Sequence, residues 1–318
     1  MKYASAALGV GLLLALVFVL AEGACATHQD GAPVTSTAGD GGASASSEDA
    51  GVTPSGNDFV PSDGPTGVFF SDAAPNSGAT GDAAALPGTL LAVVRDFRFY
   101  DAGDPTTDPD FENPPNTGGQ GADDKDIVTD TIGTDGKPVY KNPGGTTLTT
   151  HGQAEFDKWY RDTPATNIHV DYPLTLTPQA NGSYGYDSQV SGVPYNVQGE
   201  TGNGFFPIDD GTAYQTAFGN QGWPHNYSFT VEIHTVFKYS GGEYFNFRGD
   251  DDVFVYINGK LVINLGGIHG PEPEQVSIDT LGLTPGNMYP LDFFSAERHV
   301  VGSNIQFETT LDLQPPPK

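Results

Sequence analysis

The stretch "VFVYINGKLVINL", Val253 to Leu265, leaves a chain few choices. Two runs of strand-forming residues flank Asn258-Gly259, a dipeptide that readily adopts the positive backbone angles of a two-residue hairpin turn. Upstream, "SFTVEIHTVFKY" alternates, which puts Phe229, Val231, Ile233, Thr235, Phe237 and Tyr239 on one face. That is the period of a strand with one face buried. "EYFNF" lies between them at strand length, and "NMYPLDFFSAE" and "SNIQFETTLDL" supply two more strands. Gly (42) and Pro (25) argue for many turns and against long helices. Helical spacing is confined to "GQAEFDKWYRD", residues 152–162, read as one or three turns with Phe156, Trp159 and Tyr160 inward. The expected fold is all-β, an antiparallel β-sandwich with long loops in its first half.

The first quarter of the chain reads differently. An apolar run from Ala6 to Ala21 follows Lys2, about the length of a signal-peptide core and short for a bilayer span. Cys25, in "AEGACA", stands where a lipoprotein signal carries its acylated cysteine, although Glu22 replaces the usual leucine. Ordinary cleavage after Ala26 is the alternative. Either way the chain is expected to be exported, as a cell-surface or outer-membrane lipoprotein or as a secreted protein. Residues 27–87 are Gly, Ala, Ser, Thr, Pro and Asp with scarce apolar side chains, too few to offset the entropy of ordering, so they read as a disordered linker. The expected organisation is a signal over 1–26, this linker, a folded domain over 88–314 and a short tail at 315–318.

Charge narrows the partners. With 40 acidic against 13 basic residues the formal net charge is −27, and no Lys or Arg cluster offers itself to phosphate. Nucleic acid is therefore excluded, and membrane contact is left to a lipid anchor. Such a surface attracts cations. The single cysteine forbids an internal disulfide, so the fold rests on its core or on bound metal.

One short segment concentrates that charge. Asp250, Asp251 and Asp252 stand together at the mouth of the "VFVYI" strand. Exposed, they would be a solvated turn; sequestered, they need protons or a cation. Ca²⁺, which takes six to eight oxygens, suits them, and Asn246, Asn258, Asn264, Asp209, Asp210 and Asn304 are candidate further oxygens. Neighbouring side chains of an extended strand point to opposite faces, so two adjacent aspartates share one ion only across an unusual peptide, such as a cis one. EF-hand spacing is absent, and seven scattered His without partner cysteines do not make a zinc site. No serine elbow, phosphate loop or metalloprotease helix occurs, so no catalytic residues are assigned and an enzyme is not expected.

Six motifs in order, "VRDF", "DPDFE", "FDKWYRDTPATN", "GFFPID", "GDDDVFVYINGKLVINLGGIHG" and "LDFFSAERHVVGSN", make the chain from about 88 to 313 resemble the fibro-slime domain, a surface module related to the PA-14 β-sandwich. Carbohydrate-binding PA-14 members hold Ca²⁺ with an Asp-Asp pair joined by a cis peptide, and the ion coordinates sugar hydroxyls. The resemblance places that pair on Asp250 and Asp251. Asp252 stands where relatives often have Gly, which leaves Asp251–Asp252 open as the pair. Asn258, Asn264, His269, Glu297, His299 and Asn304 are the candidate ligand-binding residues. Arg298 is expected to form a structural pair with an acid such as Asp292, and His269 has the alternative role of closing the "GGIHG" turn. The function implied is calcium-dependent carbohydrate binding or adhesion, with an extracellular glycan or matrix protein as partner. The alternative is a structural matrix or slime protein without sugar binding, and a glycoside hydrolase is a weaker third.

Overall fold

The structure is a computed structural model that describes residues 88–112 and 121–316. The expected signal, Cys25 and the 27–87 linker lie outside the described residues, as do the last two residues of the tail.

In chain order the strands are β1 (Thr89–Phe97), β2 (Ala122–Asp123), β3 (Asn167–Thr175), β4 (Thr177–Pro178), β5 (Tyr184–Asp187), β6 (Val193–Val197), β7 (Glu200–Gly204) and β8 (Phe229–Lys238). They continue with β9 (Tyr244–Gly249), β10 (Asp252–Ile257), β11 (Lys260–Leu265), β12 (Gly267–Ile268), β13 (Glu272–Ser277), β14 (Met288–Glu297), β15 (Ile305–Thr309) and β16 (Leu313–Gln314). Two short helices, α1 (Gln153–Phe156) and α2 (Ser188–Ser191), and a 3₁₀ turn at Ile278–Leu281 complete the described elements.

Two antiparallel sheets face each other. The larger has seven strands in the order β11-β10-β14-β8-β1-β3, with β16 added beside β8, and the smaller runs β13-β9-β15-β5-β4. The Asn258-Gly259 turn joins β10 to β11 with φ of 51° and 75°, the left-handed geometry its residue types favour. Phe229, Val231, Ile233 and Phe237 of β8 enter the core between the sheets as the alternation requires. There Phe247 of β9 meets Phe293 of β14 at 5.5 Å between ring centroids.

A second core covers the outer face of the large sheet. Every residue of β10 is buried, with Val253, Val255 and Ile257 in the inter-sheet core and Phe254 and Tyr256 on the other side. The sequence left open whether the Tyr256 face is wet; Phe97, Phe111, Tyr140, Phe156, Trp159 and Tyr160 keep it dry. The segment around α1 supplies three of these rings through one helical turn followed by tighter i→i+3 turns at Lys158 and Trp159. The apolar spacing that marks residues 152–162 is therefore satisfied by a single turn.

The two sheets exchange strands at one end. β9 lies in the small sheet and β10 in the large one, so the chain crosses between Gly249 and Asp252. β14 and β15 make the reverse crossing between Glu297 and Ile305. Register sets the crossings side by side: Gly249 pairs with Ile305, and Asp252 with Ala296.

Candidate functional site

Asp250 and Asp251 are the whole of the first crossing, and the peptide between them is cis. Gly249 must precede them, because a Cβ there would fall 2.5 Å from the Asn304 carbonyl and 2.7 Å from the Phe247 ring. The triplet is not a solvated turn: Asp250, Asp251 and Asp252 are 9%, 5% and 0% exposed.

Each carboxylate has its own partners. Asp250 accepts from the side-chain amide of Asn304 at 2.7 Å (Nδ2 to Oδ2) and from the Asn304 backbone N–H. Asp251 accepts backbone N–H groups from His269 at 3.2 Å and Arg298 at 3.1 Å. Asp252 accepts the Gly267 N–H at 2.8 Å and the Arg298 Nε–H at 2.5 Å. As the first residue of β10, Asp252 shares the outer face with Phe254 and Tyr256, which turns it toward the second core and Arg298. Arg298 thus forms the expected structural pair with an acid, but the acid is Asp252 and not Asp292. Asp292 sits further along β14 and accepts from His234 instead, while Arg298 caps the strand end beside Asp252.

Burial dominates the electrostatics. It lifts Asp250 to about 6, against the hydrogen bonds from Asn304. Burial and the neighbouring Asp250 charge push Asp251 well above the usual carboxylate range. Glu297, at the end of β14, is pushed well above it by burial and then by Asp251 and Asp250. Its Oε2 is buried without a hydrogen-bond partner. Glu112, whose Oε1 accepts the Val300 N–H at 2.7 Å, is carried by burial to about 7.

The second crossing, residues 298–304, forms the opposite wall and contains another cis peptide, Val300–Val301. Gly302 lets the chain pass close to its neighbours: a Cβ there would lie 3.2 Å from Asn304 Nδ2, 3.4 Å from the Tyr195 hydroxyl and 3.8 Å from Asp250 Oδ2. Tyr195, half-buried on β6, thus stands beside the carboxylate pair.

The candidate ligand-binding residues divide accordingly. Asn304 and Glu297 join the aspartates. His269 reaches Asp251 through its backbone, while its ring spans the carbonyls of Gly270 and Leu265 and closes the turn. His299 is half-buried with its Nδ1 against the Val300 carbonyl and its Nε2 3.4 Å from Glu112, and burial lowers its pKa. Asn258 is not at the site; it caps the hairpin at the far end of β10, exposed. Asn264 is not at the site either, since its side chain bridges the Lys125 carbonyl and the Gly266 N–H. Asp209 is occupied by His225 at 2.5 Å and the Asn226 N–H, and Asn246 lies within β9 between β13 and β15. Tyr195 and Gly302 were missed, because they come from a separate hairpin and from a glycine whose role is to be small.

Among the described residues no group of three or more His, Cys, Asp or Glu side chains is arranged to hold a metal. A cation would therefore take two carboxylates and complete its shell with amide, carbonyl and ligand oxygens. That oxygen-only set suits a hard ion such as Ca²⁺. The Glu297 oxygen, buried without a hydrogen-bond partner, fits such an occupant.

Residues 205–318, which include both crossings, match the PA14 domain. The chain is a PA14 domain protein related to the psi proteins of Dictyostelium discoideum. It is 40% identical to protein psiR over 228 residues, 70% of this chain and 22% of psiR. With protein psiD it shares 36% identity over 229 residues, 70% of this chain and 42% of psiD. It thus spans about a fifth of psiR and less than half of psiD. Among solved structures, the PA14 sugar-binding domain of an RTX adhesin is 20% identical over 26% of this chain and 45% of that one, with a TM-score of 0.21. The Epithelial Adhesin 9 A domain of Candida glabrata, in complex with Galb1-4GlcNAc, is 12% identical over 74% of this chain and 87% of that one, with a TM-score of 0.27.

Proposed function

We propose that the described domain is a fibro-slime module that binds extracellular glycans in a calcium-dependent manner, with Asp250 and Asp251 holding the ion. The observation that carries this reading is the sequestered carboxylate pair at the sheet crossing, with the Asn304 amide against it and the unpartnered Glu297 oxygen beside it. Bound there, calcium would supply coordination positions that vicinal sugar hydroxyls take in place of water. The remaining work falls to the chain itself. Asn304 orients Asp250 through backbone and side chain together, and the N–H groups of His269 and Arg298 fix both oxygens of Asp251. Tyr195, half-buried, brings its hydroxyl to the same corner as a further hydrogen-bonding group for a sugar. The leader-like run and Cys25 support display of this domain at the cell surface or its secretion. No catalytic role is assigned to any residue.

Asp251→Ala should abolish calcium binding in titration calorimetry while the fold persists by circular dichroism. Glycan-array binding by the unaltered chain should vanish with EDTA. Undiminished calcium affinity in the variant would overturn the assignment of the ion site. Calcium binding without any glycan signal would favour the matrix-scaffold alternative.

A further inference from the structure

Resting on that reading, we propose that Arg298 is a positioning residue that sets the charge of the ion site, holding Asp252 apart from Asp250, Asp251 and Glu297, which are left to the cation. Three consecutive carboxylates would otherwise converge on one corner. The strand period turns Asp252 away from Val253 and toward the outer core, where the Arg298 guanidinium meets it at 2.5 Å. Both side chains are wholly buried, so water does not share that charge. The guanidinium's other hydrogen bonds go to neutral acceptors: the Asp110 carbonyl at 3.0 Å, the Thr149 carbonyl at 2.9 Å and the Thr149 hydroxyl at 3.2 Å. Its face packs over Trp159, 4.6 Å from the ring centroid. The Gly267 N–H holds the second Asp252 oxygen at 2.8 Å. Arg298 also donates its backbone N–H to Asp251, so one residue fixes an ion-facing aspartate and removes its neighbour.

The charge separates this role from simple support of the fold. Each further uncompensated carboxylate charge at the site attracts a trivalent ion more strongly than a divalent one. The test measures Ca²⁺ by calorimetry and Tb³⁺ by sensitised luminescence on the full chain. Arg298→Met, which keeps an apolar stem but loses the guanidinium over Trp159, should raise the Tb³⁺ over Ca²⁺ preference by at least about tenfold, the lower end for one unit charge a few ångströms away. Arg298→Lys retains the charge and should keep the original preference. The double variant Asp252→Asn/Arg298→Met, which removes the pair together, should restore it. Asp252→Asn alone leaves the arginine uncompensated and should weaken both ions, Tb³⁺ more. If neither methionine variant folds, Asp252→Asn against Arg298→Lys decides. An unchanged preference across the folded variants overturns the proposal while the calcium site stands. Failure of the unaltered chain to bind either ion overturns the calcium reading and this inference with it.

Discussion

Burial makes a carboxylate hold its proton to higher pH. Asp250 is carried from 3.8 to about 6 in this way, and Asp251 further up by burial and by Asp250 itself. The sign follows from linkage. The folded chain without ion keeps a proton on Asp250 between 3.8 and about 6 that the unfolded chain has lost, so charging the group above that range costs stability. A cation that needs the carboxylate offsets this cost and must displace the proton at lower pH. Calcium affinity should therefore fall as pH drops through about 6, by roughly tenfold per pH unit for each proton displaced. Calorimetry in two buffers of different ionisation enthalpy should register the released protons; a flat profile between pH 7 and 5 would contradict it. The aspartates were legible as candidates because three adjacent acids before a strand are conspicuous. Their division of labour was not, since it depends on which face of β10 is buried against Arg298, a contact 46 residues away in the chain.

At the scale of elements, legibility tracks periodicity. β8, β10 and β11 could be read because alternation and the Asn258-Gly259 turn are local properties of their residues. Apart from residues 152–162, the segments between β1 and β3 carry no period. They are placed by contacts that no spacing announces, such as Asp124 accepting from the Thr149 backbone and hydroxyl, each at 2.9 Å, and Asp110 accepting the Trp159 indole N–H at 3.2 Å. Another such contact ties three strands on the outer face of the large sheet. His234 of β8 donates to Asp292 of β14 and to Glu232, both at 2.6 Å, while Arg95 of β1 and Lys137 also donate to Glu232. Burial disfavours the imidazolium, but the hydrogen bonds to Asp292 and Glu232 outweigh it and lift His234 from 6.5 to about 9. Its contribution is full below 6.5 and lost as pH rises through about 9. The unaltered protein should lose stability in urea titrations between pH 6.5 and 9, and His234→Gln should be less stable at pH 6 and show a shallower slope over that range. Parallel slopes in the two proteins would remove His234 from the account.

For the molecule as a whole the governing quantity is a net charge of −27. Like charges repel in the compact state, and salt of any kind screens them. Stabilisation by calcium alone is thus weak evidence for a site, because a divalent ion also screens. What distinguishes the crossing is geometry: two buried carboxylates fixed by backbone N–H groups, at the point where the two sheets exchange strands. An ion bound only by the folded chain stabilises it by mass action, about 2.7 kcal/mol at a hundredfold excess over Kd. For a domain of this size each kcal/mol moves Tm by roughly 2–4 °C, so the expected rise is about 5–10 °C. Magnesium or sodium chloride at matched ionic strength should give a much smaller rise. Magnesium demands a compact octahedral shell, which a pair of pinned carboxylates and an amide satisfies poorly. The calcium increment should disappear in Asp251→Ala, whose net charge is less negative and whose melting point without ion should be no lower. Equal shifts with calcium and with ionic-strength-matched sodium, in both proteins, would reduce the effect to screening and leave the crossing without an ion to hold.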